Sequence, residues 1–287
     1  MTIRAGYIGL GIMGKALAKH LAPAGLPTIV RDLDEALVAE LVASGAKAAS
    51  SAREVAENAD VIGICVPADA HVRAVMRGDD GILAGAAEGT VVVISSTVHP
   101  DTVEELALEA RAKGVEVLEG PVAGGNVRAE AGDAFYMVAG DEATFERVRP
   151  FFEASAGKIL YCGELGNAAK LKLALNVLTN LSFAAALEGA NLAKGLGLPI
   201  ELYEEGGQAT TMLNPVSMQY MATQKMPDEV LRGEDFQAYM RGRMEICQKD
   251  LSLALDMANQ ADVSMPFTGL GLQLAAKIYG VWDDKLR

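Results

Sequence analysis

Lys172 and Asn176 are the pair of side chains in this chain best suited to chemistry. They stand four residues apart in a segment of good helix formers, so a helix places them about one turn apart on one face. A lysine and an amide that point the same way can hold a substrate oxygen and move its proton. Because charged and amide side chains usually lie at the surface, a solvated helix stripe is the alternative interpretation.

A long helix must position this pair. Apolar residues recur at intervals of three and four from Gly166 to about Gly197, which predicts a helix of roughly thirty residues, about 45 Å long. Strand and helix patterns alternate before it, and helical patterns dominate after it. We therefore predict an α/β chain with two domains: residues 1–163 bind a dinucleotide, and residues 164–287 form an all-helical domain for substrate binding and oligomerisation. The pair is expected to face a cleft between them.

The first turn of the chain carries a glycine pattern typical of dinucleotide binding. A strand predicted at Ile3–Ile8 runs into the sequence GLGIMG and then into a helical pattern. In such a turn the first glycine permits the bend, the second admits a pyrophosphate, and the third allows close helix packing. This pattern predicts a doubly wound Rossmann sheet. The predicted cofactor contacts here are Gly9, Gly11, Ile12, Met13 and Gly14.

An acidic residue, Asp32, follows the predicted second strand, Pro27–Val30. Its carboxylate would accept hydrogen bonds from the ribose hydroxyls and would repel a 2′-phosphate, so NAD is favoured over NADP. The neighbouring Arg31 leaves NADP open, because a guanidinium can turn toward a phosphate. The alternative interpretation is that Asp32 only caps the helix that follows.

Later strands bring further candidates to the carboxyl edge of the sheet. A strand at Ala59–Val66 ends at Pro67, and a strand at Val91–Ile94 ends in Ser95, Ser96 and Thr97. Ligands bind at this edge in doubly wound folds. Val66 and Pro67 are therefore predicted to lie over the cofactor. Capping of the next helix by Thr97 or a neighbour is an equally natural role, and both roles could hold.

A glycine-rich loop follows the strand predicted at Val115–Leu118. Backbone amides of Gly124 and Gly125 are candidates for binding a carboxylate. Arg128 adds a cation there, or is a surface arginine. Phe135–Ala139 and Lys158–Cys162 read as further strands that complete a sheet of seven or eight.

Composition excludes several classes of function. The net charge of −13 disfavours nucleic-acid and anionic membrane partners. No uninterrupted apolar run reaches the roughly 18 to 20 residues of a membrane span, and the N-terminus shows no secretion signal, so we expect a cytoplasmic protein. Three widely spaced cysteines and three histidines show no metal-ligand spacing, which predicts reduced thiols and no metal site.

Four motifs, in this order, resemble the β-hydroxyacid dehydrogenase family over essentially the whole chain: GYIGLGIMG, EGPVAGG, GNAAKLKLALN and KDLSLALD. That family includes 3-hydroxyisobutyrate dehydrogenase, tartronate semialdehyde reductase and glyoxylate/succinic semialdehyde reductase. The resemblance implies hydride transfer between NAD and a 3-hydroxy acid or the matching semialdehyde, with Lys172 as general acid and base and Asn176 beside it. It also implies that Lys249 approaches the cofactor or substrate, and that Ser96 and Thr97 border the nicotinamide.

Two positions depart from the family pattern. Ala123 stands where the loop usually has a serine that contacts the substrate carboxylate, and Ala168 replaces a frequent glycine. The loss of that hydroxyl keeps an imine reductase, which delivers hydride to C=N, as an alternative. A protein that binds NAD without turnover is a second alternative, although Lys172 favours alcohol chemistry. The expected partners are a small carboxylate substrate and further copies of the chain, as a homodimer or homotetramer.

Overall fold

A computed structural model describes residues 2–281, and the chain divides into two compact units, Met1–Lys172 and Leu173–Arg287. The first unit combines strands and helices, and the described part of the second is helical. This confirms the predicted fold class. The domain boundary after residue 163 stays a prediction, because the contacts divide the chain slightly later, inside a long helix.

A parallel sheet of six strands forms the centre of the first unit. Its strands are β1 Ala5–Ile8, β2 Thr28–Arg31, β3 Lys47–Ala48, β4 Val61–Ile64, β5 Val91–Ile94 and β6 Glu116–Glu119. They lie in the order β3-β2-β1-β4-β5-β6. β2 and β3 therefore lie on one side of β1, and β4, β5 and β6 lie on the other. The strand order reverses between β1 and β4, and doubly wound folds bind their ligands at the carboxyl ends of strands at such a point.

Both faces of this sheet are covered. Val91 and Val93 of β5 pack into one hydrophobic cluster, whereas Val92 and Ile94 pack into another on the opposite face. A strand that is buried on both sides needs apolar residues at every position, which explains the unbroken β-branched run. The covering helices are α1 Ile12–Ala18, α2 Glu35–Ala43, α3 Ala52–Asn58, α4 Asp69–Met76, α5 Ile82–Gly85, α6 Pro100–Arg111, α7 Gly125–Glu130 and α8 Glu142–Glu153.

A second, three-stranded sheet corrects the prediction of one sheet of seven or eight strands. It contains β7 Val122–Ala123, β8 Ala134–Val138 and β9 Ala156–Tyr161. β7 pairs antiparallel with β8, and β8 pairs parallel with β9. An isolated antiparallel bridge between Glu119 and Ala139 links this sheet to β6. β6 is the edge strand of the parallel sheet, and Pro121, two residues after it, has no N–H to donate.

The last helix of the first unit continues into the second. This helix, α9, spans Asn167–Gly195, close to the predicted bounds. The other helical elements are α10 Ile200–Ala209, α11 Pro215–Met221, a 3₁₀ turn at Ala222–Lys225, α12 Asp228–Leu231, α13 Glu234–Gln260, α14 Pro266–Gln273 and α15 Ala275–Ile278. With 27 residues, α13 is nearly as long as α9. It runs through Gly242, since an isolated glycine weakens a helix without ending it.

Within residues 2–281, α9 is also the single helix long and apolar enough to cross a membrane by length and composition. A core helix of a soluble protein has the same length and composition.

Candidate active site

The glycine turn after β1 contains two kinds of glycine. A Cβ at Gly9 would lie 2.3 Å from a backbone carbonyl oxygen, and one at Gly14 would lie 1.9 Å from the carbonyl oxygen of Gly9. Packing therefore requires both glycines, and the φ of +89° at Gly9 requires glycine there by backbone conformation as well. A Cβ at Gly11, by contrast, would meet nothing within 4 Å. Ile12 is exposed beside it, and Met13 is half-buried.

The open space at Gly11 is what a bound dinucleotide requires. Gly11 has a φ of −57°, which any residue can adopt, so the fold itself does not demand glycine here. A side chain at this position would occupy space through which a pyrophosphate could approach the backbone. The turn therefore fits the predicted cofactor on geometry as well as on sequence.

Asp32 lies beside this turn and is held there by two backbone amides. Its Oδ2 accepts a hydrogen bond from the N–H of Leu10 at 2.5 Å, and its Oδ1 accepts one from Asp34 at 2.8 Å. Asp34, not Asp32, caps α2, so the capping interpretation of Asp32 is wrong. Each carboxylate oxygen can accept further bonds, which leaves capacity for ribose hydroxyls. Arg31 ends β2 and is half-buried.

Ser96 holds a neighbouring loop in place. Its hydroxyl is buried and accepts a hydrogen bond at 2.7 Å from the N–H of Val66, the residue before Pro67. Ser96 thus fixes the segment that was predicted to cover the cofactor. Thr97 is half-buried, and the residue that caps α6 is His99, whose Nδ1 accepts a hydrogen bond from the N–H of Asp101. The cap is thus a neighbour of Thr97, as the alternative interpretation allowed.

The glycine-rich loop has the backbone conformation that its sequence predicts. Gly124 and Gly125 have φ angles of 100° and 82°, a region that favours glycine. Ala123 ends β7 just before them. Arg128 folds back over the loop: its Cδ would lie 3.0 Å from a Cβ at Gly124, and its Nε donates to Asp133 at 2.7 Å. Arg128 is therefore a partly exposed cation next to the loop glycines.

Lys172 and Asn176 lie on α9, both half-buried, so the prediction that they share one helix is confirmed. Asn176 donates from Nδ2 to Oδ2 of Asp250 at 2.6 Å. Asp250 is buried, and the ammonium of Lys249 lies 3.0 Å from its other oxygen. Since a carboxylate only accepts, this contact orients the amide so that Oδ1 of Asn176 points away from Asp250.

Sequence reasoning missed Asp250. It stands next to Lys249 in the KDL sequence, and that adjacency to a candidate lysine was the available signal. The backbone around Asn176 is supported as well: Asn180 donates to its carbonyl at 2.8 Å and accepts from Tyr279 at 2.7 Å. Asn176 is thus fixed through its side chain and its main chain.

Comparisons with known families cover nearly the whole chain. Residues 4–163 match the family model of the NAD binding domain of 6-phosphogluconate dehydrogenase. Residues 166–281 match the model of the NAD-binding region of NADP-dependent 3-hydroxyisobutyrate dehydrogenase.

Individual proteins of known name or structure are also similar to this chain over nearly its full length. The NAD-dependent L-serine dehydrogenase of Pseudomonas aeruginosa is 34% identical, with 93% of this chain and 89% of that protein aligned. The crystal structure of 3-hydroxyisobutyrate dehydrogenase from Salmonella typhimurium has a TM-score of 0.84 at 30% identity, covering 96% of this chain and 93% of that one. An imine reductase from Pseudomonas sp., at 21% identity and a TM-score of 0.67 over 98% of this chain and 96% of that one, shares the fold.

Proposed function

The chain belongs to the β-hydroxyacid dehydrogenase family and is an NAD(P)-dependent oxidoreductase, and from that premise we propose that it interconverts a short 3-hydroxy acid and the matching semialdehyde with NAD. The observation that carries the proposal is the pair of Lys172 and Asn176 on α9, with the amide oriented by a buried carboxylate. A lysine and an asparagine on a solvated face of the helix would not need a buried carboxylate to orient the amide.

In the proposed mechanism, the glycine turn and Asp32 bind the cofactor. Gly11 leaves room for the pyrophosphate, and Asp32 offers acceptors to the ribose hydroxyls while its charge disfavours a 2′-phosphate. When bound, NAD accepts a hydride in oxidation and NADH donates one in reduction. NAD is therefore the preferred cofactor in this proposal, ahead of NADP.

Lys172 is the proposed general base and acid. In oxidation its neutral amine takes the proton from the substrate hydroxyl, and in reduction its ammonium returns a proton to the new alkoxide. Lysine is ordinarily protonated at neutral pH, so oxidation should become faster as the pH rises. Asn176 keeps Oδ1 available for a hydrogen bond from the lysine or from the hydroxyl, because its Nδ2 is occupied by Asp250.

The carboxylate of the substrate is proposed to bind at the loop after β7. The amides of Gly124 and Gly125 supply donors there, and Arg128 supplies positive charge. Ala123 cannot supply the hydroxyl that the family usually has, so these donors carry more of the recognition. Lys249 remains a proposed contact of the substrate or cofactor, with its ammonium near Asp250.

The two alternatives predict different behaviour. An imine reductase would reduce C=N substrates, and a non-catalytic protein would bind NADH without consuming it. We propose testing NADH consumption and NAD reduction over semialdehydes, 3-hydroxy acids and cyclic imines, with NADP(H) in parallel. Turnover of the semialdehydes and hydroxy acids supports the proposal, whereas turnover of imines alone contradicts it.

Replacing Asp32 by serine should shift the preference toward NADP. The change removes the charge that opposes a 2′-phosphate, so kcat/KM for NADPH relative to NADH should rise by about tenfold or more. Steady-state kinetics with both cofactors measure this ratio. Asp34→Ser is the matched control: it keeps an oxygen to cap α2 and should leave the ratio unchanged. An unchanged ratio in Asp32→Ser would remove Asp32 from cofactor selection.

Replacing Asp250 by asparagine should lower both activity and stability. The variant loses a buried charge-assisted bond to Asn176 and the ion pair with Lys249, which costs about 1 to 3 kcal/mol of unfolding free energy. With Asn176 less firmly oriented, kcat should fall about tenfold. Denaturant unfolding and turnover measure the two effects. Asp256→Asn, at an exposed position of the same helix, should change neither.

The location of the protein in the cell and its self-association are also proposals. We place the protein in the cytoplasm as a homodimer or homotetramer, without nucleic-acid or membrane partners. Large exposed apolar side chains in the helical unit support self-association, among them Leu178 and Leu192, at 64% and 65% exposed. Light scattering in solution distinguishes these assemblies from a monomer.

A further inference from the structure

A buried carboxylate, that of Glu119, lies at the start of the helix that carries Lys172. Glu119 is the last residue of β6 and is 1% exposed. Its side chain accepts hydrogen bonds from the N–H groups of Gly166 at 2.6 Å, Ala169 at 2.9 Å and Ala168 at 3.4 Å. Glu119 thus binds the backbone where α9 begins, although it lies 47 residues before Gly166 in the chain.

The backbone of Glu119 is fixed on two sides. It pairs with Ile94 in the parallel sheet. It also forms a bridge to the second sheet, where its N–H donates to Ala139 at 2.9 Å and its carbonyl accepts from Ala139 at 3.3 Å. A residue held by both sheets cannot easily follow a displaced helix. Its carboxylate is therefore a fixed acceptor to which α9 is attached.

The chemistry of this contact favours the charged carboxylate. The first N–H groups of a helix have no partner inside the helix, and negative charge near them is stabilised. Burial raises the pKa of Glu119, while the bonds from the backbone amides of α9 oppose that rise. A protonated carboxyl group would use one oxygen as a donor and could not serve all these amides equally well. The charged carboxylate of Glu119, whose two oxygens only accept hydrogen bonds, therefore matches the N–H donors at the start of α9.

We propose that Glu119 is a positioning residue for the reaction, which sets the place of Lys172 relative to the loop that binds the substrate carboxylate. This inference rests on the proposed function of Lys172. Ala169 precedes Lys172 by one helical turn, so a shift of that first turn moves the lysine with it. The loop from Gly120 to Gly125 follows Glu119 directly. One residue therefore connects the proposed carboxylate site to the proposed base.

Glu119→Gln tests this role with little change of shape. Glutamine presents one acceptor oxygen and an NH2 group to amides that are themselves donors. We expect kcat to fall about 10²-fold, as a displacement of about 1 Å can cause, while the Kd for NADH stays within about twofold. Hydrogen–deuterium exchange of residues 166–172 should become faster. Glu119→Asp keeps the charge and should recover part of the lost kcat.

Glu116→Gln is the matched control. Glu116 belongs to the same strand, but its side chain is 38% exposed and its carboxylate pairs with Arg147 at 3.0 Å. This variant should keep the kcat and the exchange rates of the wild type. The comparison separates the loss of any carboxylate on β6 from the loss of the one that binds α9.

Several results would overturn the inference. One is a Glu119→Gln protein with unchanged kcat and unchanged exchange at residues 166–172. Another is a loss of kcat that only parallels a loss of NADH binding and folded protein, which would show general destabilisation. If Glu119→Gln does not fold, the same measurements on Glu119→Asp decide, and unchanged kcat and exchange there would refute the role. If the wild-type protein turns over no substrate, the proposed function fails, and the exchange rates still decide whether Glu119 fixes the start of α9.

Discussion

Replacing Lys172 by alanine should lower kcat about 10³-fold in both directions of the reaction, because proton transfer by a positioned side chain commonly contributes 10²- to 10⁴-fold. The binding of NADH should be retained, since the proposed cofactor contacts are the glycine turn and Asp32. Turnover of the best hydroxy acid and its semialdehyde, together with a fluorescence titration of NADH, measures both quantities.

Lys170→Ala is the matched control for this experiment. Lys170 lies on the same helix, two residues earlier, and is exposed. Its removal should change kcat by less than about threefold, because it lacks an asparagine one turn later. The wild type should also oxidise faster at alkaline pH, and this rise should disappear in Lys172→Ala. Equal losses in the two lysine variants would show that general positive charge, rather than one base, supports turnover.

Replacing Gly11 by valine should weaken NADH binding by about 10²-fold or more while the protein remains folded. A Cβ at Gly11 meets no atom of the chain within 4 Å, and its φ of −57° suits any residue, so the fold tolerates the change. The added side chain would occupy the proposed path of the pyrophosphate, and each 1.4 kcal/mol of lost binding free energy corresponds to tenfold in Kd. Calorimetric titration and thermal unfolding measure binding and folding separately.

Two other glycines serve as controls for Gly11. Gly242→Ala lies in α13, where a Cβ also meets nothing within 4 Å, and it should leave NADH binding intact. Gly14→Val should instead destabilise the fold, because its Cβ would lie 1.9 Å from the carbonyl oxygen of Gly9. A Gly11→Val protein that binds NADH as tightly as the wild type would contradict the assignment of this turn to the pyrophosphate.

The sequence predicts those parts of the molecule that are encoded by neighbouring residues. β5 spans Val91–Ile94 as expected. A continuous run of β-branched residues is typical of a strand that is buried on both faces of a parallel sheet. α9 was found from its apolar period, and the glycine turn from its spacing. Local patterns therefore predict the elements and the candidate base, Lys172.

Contacts between distant residues could not be predicted in the same way. Asn176 and Asp250 are 74 residues apart, and nothing in either local pattern indicates that they bond. The bonds of Glu119 to Gly166 and Ala169 at the start of α9 join residues that are 47 and 50 positions apart. The separate three-stranded sheet was missed for a related reason, since a strand pattern reveals an extended segment but not its neighbour. The contacts by which Asp250 and Glu119 support the candidate site therefore could not be found from local sequence patterns.

Gly11 has a consequence for how the protein persists in a cell. Glycine costs conformational entropy on folding, and at this position the folded chain gains no packing in return. Nucleotide binding offsets that cost, because a ligand at 100 times its Kd adds about 2.7 kcal/mol to the free energy of unfolding. We therefore expect the resistance of the polypeptide to degradation to follow the supply of nicotinamide dinucleotide, so that a cell depleted of the nucleotide would contain less of this protein.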